Sequence, residues 1–233
     1  MKKIDIIMLV IASRGYKYDN LINNYWLKFI NYSKVHNYNI KIFLIFGNNV
    51  VTDDLKIADE DKLILNVQDN YIPGILNKTI EAFKLINTMY TYKHIIRTNL
   101  SSFFIIDNVI RISNELKNTN IYAGVNGHYK GISYISGAGI WLSKDNIEYI
   151  INNCLSLDTK IIDDVSIGKL LINKKKSKLN RYNLTTDDEI YDKTKLINDI
   201  INNNHYHIRI KSNKIQLDIE YMNKFTDILY YII

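Results

Sequence analysis

Two long apolar runs, residues 4–12 (IDIIMLVIA) and 40–46 (IKIFLIF), and a shorter third at 94–98 (HIIRT) are of strand length, and segments with helical spacing separate them. A strand that is apolar at nearly every position, rather than every second one, has both faces covered. That arises when helices pack on both sides of a sheet. The intervening segments supply such helices. Residues 18–37 place Leu21, Tyr25, Phe29 and Tyr32 at intervals of four, four and three, and residues 75–90, behind the Pro73-Gly74 break, align Leu76, Ile80, Phe83, Ile86 and Tyr90. The alternation predicts an α/β domain with an open mixed sheet flanked by helices.

Further strands are expected at 63–67, 122–125, 138–142 and 207–211. Helices are expected at 108–117 with Asp107 as a cap, at 145–153, at 164–172 and at 216–233, the last turning Ile219, Met222, Leu229 and Ile232 inward. Residues 173–204, with KKKSKLNRYNLTTDDE and a later NNN, turn polar and are expected to form a mobile excursion. No internal repeat and no Gly/Ser/Pro linker divides the chain, so residues 1–233 are expected to form one domain, a length that supports a sizeable core. The opening MKKIDIIMLVIA resembles a secretory leader, but Asp5 interrupts its apolar run and a buried strand fits better. No run reaches the roughly 20 apolar residues that span a bilayer, so no membrane span is expected and a soluble protein is.

A net charge of +6 and a pI near 9.1 favour polyanionic partners, either nucleic acid or a nucleotide diphosphate. The lysines are dispersed apart from Lys174-Lys175-Lys176, and aromatics do not alternate with them. That pattern argues against a specific nucleic-acid surface and predicts only weak, salt-sensitive binding. Cys154 is the only cysteine, so no internal disulfide forms and a reducing, cytoplasmic compartment is expected. Cys154 also has no neighbouring base to make it a nucleophile.

Several groups carry chemistry. Open α/β sheets receive ligands beyond the carboxyl ends of their strands. The first strand ends in Ala12-Ser13-Arg14, where Ser13 and Arg14 suit a base or ribose, or else form a solvated loop. The strand in YKHIIRTNLSSFF (92–104) runs into a polar turn, Asn99-Leu100-Ser101-Ser102. Arg97 within it is unusual for a central strand, and it either pairs with an acid such as Asp69 or contacts phosphate. Ser136-Gly137-Ala138-Gly139 offers a hydroxyl and approachable amides, or an ordinary turn. Asp163 and Asp164 open a helix, whose N-terminus favours carboxylates, so each is a candidate base or cap. His205, His207, Arg209 and Lys211 alternate along a strand, as a cationic strip facing a diphosphate or as a solvated edge. The histidine pair has no third ligand nearby to complete a zinc site.

Taken together, these segments resemble the beta-1,3-glycosyltransferase and fringe-like family of GT-A enzymes over residues 4–172. The resemblance runs through IKIFLIFG at 40–47, Asp69-Asn70-Tyr71 and Lys78-Thr79. It continues in IIRTNLSSFF, where the family carries Lys-Thr-Asp-Asp-Asp, in Tyr134-Ile135-Ser136-Gly137-Ala138-Gly139, and in Asp163-Asp164-Val165 with Gly168. It implies a single-domain, GT-A-like (Rossmann-like) α/β fold. It also implies an inverting glycosyltransferase that moves a sugar from a nucleotide-diphosphate donor, UDP-linked, to a hydroxyl of a glycan or protein acceptor. Asp164 would be the base beside Asp163. Ala12, Ser13, Arg14, Arg97, Thr98, Asn99 and Ser101 would hold the donor, and Ser136, Gly137, Ala138 and Gly139 the sugar or acceptor. Asn99 and Ser101 stand where the family has its metal carboxylates, so no strict need for magnesium or manganese is expected. Arg97, Arg209 and Lys211, with His205 or His207, would offset the diphosphate instead. The stretch between Val125 and Tyr134 is shorter than the family's acceptor loop. The competing expectation is a degenerate nucleotide-sugar-binding protein without turnover. A microbial cytoplasm, or the host cytoplasm for a viral protein, is the expected location.

Overall fold

The computed structural model describes residues 2–49, 54–184, 193–203, 205–210 and 214–230. The strands are β1 (Lys2–Ile11), β2 (Ile40–Gly47), β3 (Lys62–Leu65), β4 (Tyr90–Asn99), β5 (Ser102–Phe104), β6 (Tyr122–Gly124), β7 (Asn126–Tyr129), β8 (Ile132–Ile135), β9 (Ile140–Ser143), β10 (Ser177–Lys178), β11 (Arg181–Leu184) and β12 (His207–Ile210). The helices are α1 (Tyr16–Leu21), joined by a π turn at Ile22–Trp26 to α2 (Leu27–Val35), then α3 (Gly74–Met89), α4 (Ile106–Glu115), α5 (Lys144–Asn152), α6 (Asp163–Leu170), α7 (Lys193–Asn202) and α8 (Ile215–Leu229).

Seven strands form the main sheet in the order β10-β6-β9-β4-β1-β2-β3, and β9 runs against its neighbours β4 and β6. Both faces are covered, which explains the unbroken apolar runs. Along β1, Ile6, Met8 and Val10 enter one core with Trp26, Phe29, Val109 and Phe225. Ile7, Leu9 and Ile11 enter the other with Ile80, Phe83, Ile147 and Ile167. The expected α/β fold with an open mixed sheet between helices is what the chain adopts.

A second sheet, β11-β12-β5, sits beyond the end of β4, with β11 parallel to β12 and β12 antiparallel to β5. An aromatic cluster fixes it. Tyr25 stacks on Phe103 and Tyr230 packs against it at a tilt, the Tyr25 hydroxyl accepts the Phe104 amide at 2.7 Å, and the Trp26 indole donates to the Leu100 carbonyl at 3.1 Å. The turn after β4 is thereby pinned from below. The β7–β8 hairpin closes through Lys130 and Gly131, both at positive φ, as a tight two-residue turn requires.

One local expectation needs correcting. Asp107 does not cap α4: it lies in the first turn and accepts the Tyr38 hydroxyl at 3.1 Å. Within the polar segment 173–204 the described residues contribute β10, β11 and α7, and β11 joins the second sheet. Among the described residues no helix is long and apolar enough to cross a membrane.

Candidate active site

Strand order dictates where a ligand fits. From β1 the chain builds outward through β2 and β3, then returns to place β4 on the other side of β1. The carboxyl ends of β1 and β4 meet at this reversal, with Ile11 opposite Asn99. A cleft of about 740 Å³ opens there, among Ser13, Asp69, Tyr71, Arg97, Asn99, Ser101, Ser136, Gly137, Asp163, Asp164, Arg181 and Arg209. A slightly larger groove of about 790 Å³ lies elsewhere, between α3 and the Cys154 turn, and holds no comparable charge cluster. The polar cleft is the better candidate, because convergent charged groups rather than volume supply chemistry.

Asp163 and Asp164 grip one glycine from two sides. The Asp164 carboxylate accepts the Gly137 amide at 2.8 Å and the Val165 amide at 2.9 Å. Asp163 is buried and pairs with the Arg97 guanidinium, which donates in turn to the Gly137 carbonyl. Burial pushes the Asp163 carboxyl up, and Arg97 works against it. The close approach requires glycine at 137, where a Cβ would lie 2.5 Å from the Arg97 guanidinium and 3.2 Å from the Asp164 carboxylate. Arg97 thus pairs with Asp163 rather than Asp69. Asp69 holds Lys78 instead, a fully buried ammonium that also donates to the Ala12 carbonyl at 2.9 Å and that burial pushes down.

The second sheet delivers the remaining charges. Arg209 on β12 donates to Asn99 Oδ1, and Arg181 on β11 donates to Ser136 Oγ at 3.1 Å and to Asn183 Oδ1 at 2.9 Å. Among the described residues neither guanidinium has a carboxylate within ion-pair distance. Burial, then Arg181 and Arg97, push Arg209 down to about 10, and burial lowers Arg181 as well. Sequence reasoning missed Arg181, because its place in a polar stretch shows nothing of the pairing that turns it toward the cleft.

Other assigned residues lie away from the cleft wall. Ala12 is buried with its carbonyl engaged by Lys78, and Arg14 is held by Asp19 and Asp54. Thr98 is buried and donates to the Ala138 carbonyl at 2.6 Å. Gly139 packs against Tyr206 and His207. His207 is not part of a solvent-facing strip. It is fully buried and stacks on Phe104, because β12 begins in the core and reaches the cleft only at Arg209. His205 packs edge-on against Tyr182. Lys211 lies outside the described residues.

A divalent ion on a diphosphate needs hard oxygen ligands, ordinarily including a carboxylate. The turn after β4 offers only Asn99 and Ser101, and Asn99 already accepts a cation, Arg209. The nearby carboxylates Asp69, Asp163 and Asp164 are bound to Lys78, Arg97 and backbone amides. These residues do not fit a divalent metal. Among the described residues no three His, Cys, Asp or Glu gather to hold one elsewhere.

Buried imidazoles make stability depend on pH. Burial lowers His94 from the ordinary value of 6.5, and burial with Arg181 and Arg209 lowers His207 further. The unfolded chain therefore binds more protons as pH falls below about 6.5, and folding weakens by about 1.4 kcal/mol per pH unit for each imidazole that stays neutral. Asp163 has the opposite sign, since its raised carboxyl takes a proton first in the folded chain. Urea midpoints should fall between pH 8 and pH 5.5, and His207→Gln should flatten the slope. An unchanged slope in that variant would place the titration elsewhere.

No family model and no curated protein matches the sequence. Among solved structures the chain is similar to a glycosyltransferase involved in the glycosylation of the major capsid of PBCV-1, with 9% identity, a TM-score of 0.49 and coverage of 94% of this chain and 99% of that one. It is also similar to Francisella tularensis 2-C-methyl-D-erythritol 4-phosphate cytidylyltransferase, with 14% identity, a TM-score of 0.44 and coverage of 76% and 89%.

Proposed function

We propose that this protein is a glycosyltransferase with a GT-A-like fold, which transfers a sugar with inversion from a nucleotide-diphosphate donor, UDP-linked, to an acceptor hydroxyl. The observation that carries the reading is a carboxylate fixed on a backbone amide, Asp164, lining the same cleft as two guanidinium groups, Arg181 and Arg209, that have no carboxylate partner among the described residues. Transfer needs both ends of that arrangement. The acceptor O–H gives its proton to Asp164 as its oxygen bonds to the anomeric carbon. The bond from that carbon to the diphosphate breaks, and its electron pair leaves with the nucleoside diphosphate. Attack opposite the leaving group inverts the anomeric centre. The cleft volume lies within the range of small-molecule sites.

The test is calorimetry with a panel of nucleoside-diphosphate sugars, followed by measurement of nucleoside diphosphate released with hydroxyl acceptors present. One donor is expected to bind and be consumed. Binding without release would favour a degenerate binding protein, a reading that Asn99 and Ser101 in place of carboxylates already invites. No binding by any donor would overturn both.

A further inference from the structure

Arg181 and Arg209 stand on adjacent parallel strands. Arg181 lies opposite His207 and Asn183 opposite Arg209, so the two arginines, two residues apart in register, share one face of the small sheet. Both line the cleft half-buried, and their side-chain acceptors are neutral: Ser136, Asn183 and Asn99. Asp218, whose charge reaches Arg209, is itself buried and spent on Lys17. Beneath them the buried His207 finds no partner for either ring nitrogen among the described residues. Among the described residues neither guanidinium has a carboxylate in ion-pair contact; two cations drawn out of water in that way are unfavourable, and folded proteins retain such an arrangement where a ligand brings the anion.

We propose that Arg181 and Arg209 form a diphosphate-binding fork that takes the place of a divalent metal, with Asn99 orienting Arg209. The assignment deepens the reading of the cleft as a donor site and rests on it. Two guanidinium groups carry the same charge as one divalent ion. Their planar forks present paired donors that match phosphate oxygens, where lysine offers only a point charge. Asn99 suits this role better than aspartate would, because a carboxylate there would neutralise Arg209 before the ligand arrived.

The test is calorimetry with inorganic pyrophosphate and with UDP on the full chain, in EDTA and then with magnesium or manganese. Wild type is expected to bind both in EDTA, with no gain from metal. Arg181→Met and Arg209→Met should each weaken binding about tenfold or more, and Arg209→Lys should recover part of the loss. Ligand-free melting temperatures of the Met variants should hold or rise, since removing an uncompensated cation relieves repulsion, whereas a structural arginine would lower them. Binding that requires metal, or Met variants that bind pyrophosphate like wild type, would overturn the proposal. The two readings fail separately. Donor turnover that survives both Met variants removes the fork and leaves the transferase. Pyrophosphate binding that the Met variants abolish, in a protein that binds no nucleotide sugar, keeps the fork and removes the transferase.

Discussion

Replacing Asp164 with asparagine is expected to lower turnover of a competent donor and acceptor by about 10²–10⁴-fold, the usual contribution of a general base, with fold and donor affinity kept. Asparagine has the same shape, and its carbonyl oxygen can still accept the Gly137 amide, so the loop keeps its anchor. What it loses is the capacity to take a proton from the acceptor. Asp164 lies on α6 while the guanidinium groups of Arg181 and Arg209 lie on β11 and β12, so donor binding should be nearly unchanged. The measurement is kcat for Asp164→Asn beside a melting curve and a donor titration. Near wild-type kcat would remove Asp164 as the base. Weakened donor binding with unchanged kcat would make it a donor ligand instead.

The main sheet was legible because its central strands are buried on both faces. In β1 and β2 that condition demands apolar residues at nearly every position, and such a run reads directly from the sequence. Of the second sheet only β12 was legible, in the strand expected at 207–211, and its partners β5 and β11 were not, for the opposite reason. β5 has three residues and β11 and β12 four each, and the strands come from distant parts of the chain. Pairing partners create them, and no local pattern foretells a partner. The β7–β8 hairpin escaped in the same way, since Asn126–Tyr129 is mostly exposed and its turn is Lys-Gly rather than Asn-Gly.

The site divides along the same line. Asp163, Asp164 and Gly137 stand out as short motifs beside a helix start and a small-residue turn, and the structure brings them together. Alternation put His207 and Arg209 on one face, which is correct. It does not tell where along that face the core ends, and the boundary falls between them. Arg181 needed the fold itself, since only its pairing with β12 aims it into the cleft.

Breaking the Arg97–Asp163 pair is expected to be the most destabilising change at this site. Arg97 stands near the carboxyl end of β4, between Leu9 on one neighbouring strand and Ile140 on the other, and is buried. Asp163 is the carboxylate that pairs with it, so Asp163→Ala would strand a guanidinium in the sheet. Losing one partner of a buried pair costs about 3–5 kcal/mol. For a domain of this size that corresponds to a drop of roughly 6–20 °C in melting temperature. Arg97→Met should cost less, because an apolar chain of similar length suits the strand and Asp163, already pushed up by burial, can hold a proton. The double variant Arg97→Met/Asp163→Leu should recover much of the loss, since no charge is left buried. The effects on turnover should follow the glycine. Without Arg97 the Gly137 carbonyl loses its donor, and the amide that positions Asp164 is held less firmly. Both single variants should therefore lower kcat even well below their melting temperatures, while Asp164→Asn lowers kcat with stability intact. Thermal melts of the four proteins, read beside kcat at a temperature where all are folded, separate the two aspartates. An Asp163→Ala protein that melts like wild type would mean that Asp163 does not hold the sheet. If that protein were also inactive, the base would be Asp163 and not its neighbour.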